Sequence, residues 1–167
     1  MALRQIRIIG DELLTKTCRE VKEMTPKIQT LINDMFDTMY EANGVGLAAP
    51  QVGIRKRIVV MDVTEEQNQP IVMINPELLE TDGEQTGDEG CLSVPGKQAK
   101  VTRPAYAKVK ALNENMEEII LEGEDLLARC MLHEMDHLDG ILYVDKAEPG
   151  TLVSVGYEEE EDFEDFE

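Results

Sequence analysis

The stretch EDLLARCMLHEMDHLDG, residues 124–140, decides the fold. Its apolar residues Leu126, Leu127, Ala128, Cys130, Met131, Leu132, Met135 and Leu138 cover most of a helix circumference, so the spacing predicts a central, largely buried helix. Glu124 and Asp125 put negative charge where the helix dipole favours it, and Gly140 supplies the stop. A polar side chain on such a helix needs a reason to be there. Two of them, His133 and His137, are the only histidines of the chain, and Glu134 stands between them. Residues four apart share a helix face, so both imidazoles can reach one metal ion with Glu134 beside it as a base. Two histidines scattered at random would fall four apart about one time in a hundred, which sets aside the plainer reading of two satisfied core or surface histidines.

Outward from this helix the chain reads as antiparallel strands with one further helix. Upstream, Thr25 and Pro26 form a hydroxyl cap with proline at the first helical position. Ile28, Leu31, Ile32, Met35, Phe36, Met39 and Tyr40 then recur on one face up to Asn43-Gly44. Short β-branched runs predict strands over Arg57–Val63, over Ile71–Asn75 ending at Pro76, and around Cys91–Val94. Tyr106–Leu112 and Met116–Leu121 flank Asn113-Glu114-Asn115 and predict a hairpin. The pattern is one α+β domain over residues 1–150, antiparallel strands packed around the central His-Glu-x-x-His helix, then a C-terminal segment with an acidic tail over 151–167.

The 167 residues carry 16 Lys plus Arg against 35 Asp plus Glu, a net charge of −19. Such a chain is repelled by phosphate backbones and anionic bilayers, which argues against a nucleic-acid or membrane binder. Eight of the acids lie in Glu158–Glu167, read as a solvated tail rather than an interaction tail. Three cysteines without a CxxC spacing, no signal-peptide core and no apolar run of membrane length point to a soluble cytoplasmic protein.

An open catalytic metal site takes three protein ligands. In the extended metalloprotease motif the third is a histidine six residues past His137, and Tyr143 stands there instead. Glu158 could serve in the other large protease class, but it opens the acidic run and has no helical register to hold it. The better donor is Cys91, preceded by Gly90, whose thiolate completes a tetrahedral set with one position open. Cys18 and Cys130 read as small apolar packers. Two other classes compete with an open hydrolytic site of this kind. They are an endopeptidase, which lacks its downstream ligand, and a structural or redox-sensing module, which would close its metal with a fourth protein donor.

Three motifs, Gly44-Val45-Gly46-Leu47-Ala48-Ala49-Pro50-Gln51, Glu89-Gly90-Cys91-Leu92-Ser93 and His133-Glu134-Met135-Asp136-His137-Leu138-Asp139-Gly140, resemble those of the peptide deformylases in order and separation, over about residues 1–147. The resemblance implies removal of the formyl group from N-formylmethionyl nascent peptides by a compact α+β monomer. It implies one divalent metal ion per chain on Cys91, His133 and His137, Fe(II) in the cell, with Zn(II), Ni(II) or Co(II) in preparations. It implies Glu134 as general base and acid, the Gln51 amide and the Leu92 N–H as oxyanion donors, and Gly46 pairing with an extended substrate. Val45, Leu126, Cys130 and the flank of His133 would wall the methionine pocket, and Glu89 would pair with Arg103 to support the Cys91 loop. The chain departs from the family at Leu132, where glutamine is usual, a residue that points off the metal face. It also departs after Pro149-Gly150, where a long ribosome-docking helix of some members has no counterpart, so docking by that route is not expected.

Overall fold

The computed structural model describes residues 2–155; the acidic tail, Glu158 included, lies outside the described residues. Helix α1 spans Pro26–Glu41 and opens on Thr25, whose hydroxyl accepts from the Ile28 N–H. Strands β1 (Gly46–Ala48), β2 (Ile58–Met61), β3 (Ile71–Asp82), β6 (Tyr106–Leu112) and β7 (Glu118–Glu124) form an antiparallel sheet in the order β1-β2-β3-β6-β7. Strands β4 (Gln85–Cys91), β5 (Val94–Arg103) and β8 (Val153–Ser154) form a second, three-stranded sheet. Helix α2 spans Asp125–Leu138.

The period-two alternation of strands explains how one sheet serves two helices. On β2, Ile58 and Val60 face α1 and join Ile32, Met35 and Met39 in one core. Val59 and Met61 face the other way and join Met131, Ala128 and Leu132 of α2 in a second. A small third cluster, Val94, Ala99, Val101 and Tyr143, lies under the second sheet. The four residues of β2 are therefore wholly buried, and α2 is enclosed by the first sheet on one side while reaching β4 through Arg129 and His133 on the other.

Three expectations need correction. The strand from Ile71 does not stop at Pro76. Asn75 adopts a left-handed φ of 52°, the register shifts between Ile74 and Glu77, and Pro76 sits in the resulting bulge, where its missing N–H breaks no ladder bond. The Asn75 side chain holds this bulge by bonding both the N–H and the carbonyl of Val21, each at 2.8 Å. The segment around Cys91–Val94 is not one strand but the tip of the β4–β5 hairpin: Cys91 ends β4, Val94 opens β5, and the two pair across Leu92-Ser93. The second strand of the 106–124 hairpin runs from Glu118, since Asn113 accepts from the Asn115 and Glu117 N–H groups and draws Met116 into the turn. Among the described residues no helix is long and apolar enough to cross a membrane.

Candidate active site

The bend after β1 carries the first site residues. Ala49–Val52 forms a single 3-10 turn, and Gly53 ends it at φ 88°, a conformation that glycine adopts without strain. Gln51, 1% exposed, is oriented by its own bonds. Its Oε1 accepts from the Ala48 N–H at 2.9 Å and its Nε2 donates to Ser93 Oγ at 3.0 Å, 3.5 Å from Cys91 Sγ. The hairpin tip supplies Cys91 and Leu92, and a register shift at Gly90 turns the thiol toward α2.

Helix α2 supplies the rest. Ligand atoms of Cys91, His133 and His137 all lie within 4.8 Å of one another, with Cys91 Sγ 3.3 Å from His137 Nε2. His133 Nδ1 lies 2.8 Å from Glu89 Oε1. An ionised carboxylate only accepts, so Nδ1 carries a proton and Nε2 is left to face the other two donors. Glu134 is 5% exposed, its Oε2 4.0 Å from His133 Nε2, and its Oε1 has no protein partner among the described residues. A soft thiolate with two imidazoles, one of them tethered from behind, fits a tetrahedral divalent ion with an open position.

Glu89 is the electrostatic centre of the surroundings. Burial works to raise its pKa, yet bonds from His133 and Arg103 and the Arg103 charge hold it at about 2. Arg103 grips both of its oxygens, Arg129 adds a further bond, and Arg103 reaches on to Asp136 Oδ2 at 3.0 Å. With protein charges alone, burial and the nearby Glu89 raise Glu134 to about 7 against the opposing pull of His133 and Arg103. Burial, then the positive charge of His133 and Arg103, lowers His137 to about 3. For His133 burial is outweighed by the bond to Cys91 and the charge of Glu134, and its pKa rises.

Val45, Gly46, Gln51, Cys91, Leu92, Leu126, Cys130, His133 and Glu134 all line one cleft of about 560 Å³. His137 is buried and does not line it. Val45 and Leu126 stand at the cleft with 41% and 49% exposure, more open than a closed apolar wall, while Cys130 is buried. Leu132 packs in the α2 core, away from the ligands. Glu89 pairs with Arg103 as expected, but its second guanidinium partner Arg129 went unread, as did the support of Gln51 by Ser93. A lone arginine within an apolar helix was the available signal for the former.

The geometry can be set beside known proteins. The polypeptide deformylase family model matches residues 3–152. A peptide deformylase of Agathobacter rectalis is 68% identical over 95% of this chain and 98% of its own length, and one of Lachnoclostridium phytofermentans is 61% identical over 97% and 99%. Among solved structures, a Legionella pneumophila peptide deformylase superposes with a TM-score of 0.86 at 47% identity, covering 89% of this chain and 88% of that one. A Synechococcus elongatus peptide deformylase in complex with actinonin gives 0.83 at 41% identity, covering 87% and 79%. With a family model over residues 3–152, relatives at this identity over nearly their full length and the same fold, the chain belongs to the polypeptide deformylase family, hydrolases that take the formyl group from an N-terminal methionine.

Proposed function

We propose that the protein hydrolyses the formyl amide of N-formylmethionyl nascent peptides, releasing formate, with Cys91, His133 and His137 as ligands of one divalent ion. The observation that carries this reading is the convergence of those three donors beside a buried Glu134, with Cys91, His133 and Glu134 lining one cleft. Held there, such an ion, Fe(II) in our reading with Zn(II), Ni(II) or Co(II) able to replace it, supplies Lewis-acid polarisation of the carbonyl and acidifies water toward a pKa of about 7.

The protein's own groups do the rest. Glu134 accepts a proton from the attacking water and returns it to the departing amine. The Gln51 amide, fixed with its donor end toward Cys91, and the backbone N–H of Leu92 stabilise the oxyanion, each worth roughly 3–4 kcal/mol in the transition state. Val45, Leu126, Cys130 and the side of His133 receive the methionine side chain, and the backbone of Gly46 pairs with the extended peptide. Residues 1–150 make up the catalytic domain, and the protein acts as a monomer in the cytoplasm.

The test compares formyl-Met and acetyl-Met peptides. On this reading the formyl group enters between Gln51, Cys91 and Glu134, where its hydrogen takes less room than a methyl group, so formate release should be rapid and the acetyl peptide nearly inert. Equal rates on both would overturn the reading.

A further inference from the structure

Tyr143 occupies the position where the extended metalloprotease motif has its third histidine, and none of the roles given so far uses it. It is 1% exposed, and its ring stacks on the imidazole of His133 with centroids 6.0 Å apart and planes at 25°. His137 meets the same imidazole edge-on at 5.2 Å and 71°. His133 is thus held at Nδ1 by Glu89, at its edge by His137 and across its face by Tyr143.

The turn that presents Tyr143 is itself clamped. Gly140 takes φ 77° after α2, where a Cβ would stand 2.5 Å from the Thr15 backbone, so the chain must leave the helix here and by this route. The Leu142 N–H donates to Asp145 Oδ2 at 3.0 Å, and Lys146 Nζ bonds Asp136 Oδ2 at 2.9 Å. The same Asp136 oxygen receives Arg103, which grips Glu89. Both restraints on His133, the carboxylate and the ring, therefore share one anchor.

We propose that Tyr143 is a positioning residue for the metal centre, its ring plane restricting rotation of the His133 imidazole and covering the side of Cys91 away from the cleft. The hydroxyl has no protein partner among the described residues, so the ring, and not the O–H, carries the effect. Cys91 packs against the same small cluster, which sets its side chain beside the ring. The inference rests on the metal-site reading given above. Losing such support around a ligand typically weakens metal binding 10- to 100-fold.

The test loads the full chain with Co(II) and follows its thiolate charge-transfer band and its release to a chelator. Tyr143→Phe should match the parent in both. Tyr143→Leu should release Co(II) at least about tenfold faster with a shifted band, and Tyr143→Met should do the same, which keeps the test decisive if the leucine variant does not fold. Val101→Ala, which loosens the same cluster away from His133, should keep the parent spectrum and rate. Parent-like release from Tyr143→Leu or Tyr143→Met overturns the proposal, as does a leaky Tyr143→Phe or an equally leaky Val101→Ala. A parent chain that takes up no Co(II) overturns the metal-site reading itself, a different failure.

Discussion

A Cβ atom built on Gly46 would stand 2.6 Å from Oε2 of Glu134 and 2.8 Å from Sγ of Cys130. The first motif and the helix therefore approach closely because a side chain is missing, and glycine here serves that approach and not a turn, since Gly46 lies within strand β1. Gly46→Ala should push Glu134 off its position. Turnover of formyl-Met peptide should fall about 100-fold, as a displacement near 1 Å typically costs, and overpacking should remove about 1–3 kcal/mol of stability. Steady-state kinetics with a urea melt check both, and parent-like kcat would show that the carboxylate tolerates the shift.

Glu89→Gln tests the hub. It removes the charge that Arg103, Arg129 and His133 share, leaving Arg129 buried without a counterion and Arg103 with Asp136 alone. Breaking a buried pair from one side costs about 3–5 kcal/mol, and metal affinity should drop roughly 10- to 100-fold as His133 loses its acceptor. Unchanged stability would mean that the arginines find water instead.

A pH prediction comes from Tyr40, on α1 and outside the cleft lining. Tyr40 donates to Asp62 Oδ2 at 2.6 Å, and burial, then the bond and charge of Asp62, raise its pKa from 10.0 to about 12. A folded pKa above the unfolded one gives stability that is complete below pH 10 and lost as pH rises through about 12. Urea midpoints of the parent should fall more steeply across that window than those of Tyr40→Phe. Parallel curves would remove Tyr40 from the account.

The fold class, both helices and the shared face of His133 and His137 were legible in the sequence because each rests on a local signal. Thr25-Pro26 caps a periodic run, and His133 and His137 share a face by helical spacing alone. The β3 bulge was not legible, since Pro76 reads as a terminator unless the bonds from Asn75 to Val21, 54 residues away, are known. The Leu92-Ser93 turn lacks the asparagine or glycine that marks tight hairpins. It forms because β4 and β5 pair over Gln85–Arg103 on either side of it. Strand β8 was missed for a similar reason. Val153 and Ser154 carry little pattern of their own and take a strand conformation by pairing with Gln98 and Lys97.

Glu134→Gln separates the base from the ligands most cleanly. The substitution keeps the size of a side chain that fits tightly against Gly46 and Cys130, so packing should hold. Cys91, His133 and His137 are untouched and should retain one ion per chain. What is lost is the capacity to take a proton from water and pass it to the amine, which typically contributes 10²- to 10⁴-fold. The effect should appear in kcat with KM little changed, because the interaction is made only in the transition state. His133→Ala or His137→Ala should instead lose ion and activity together, as two donors rarely hold a catalytic ion. A Glu134→Gln protein that carries its ion and turns over at the parent rate shows that the base lies elsewhere. One that carries no ion shows that Glu134 is itself a ligand, and the three-donor site would then be wrong.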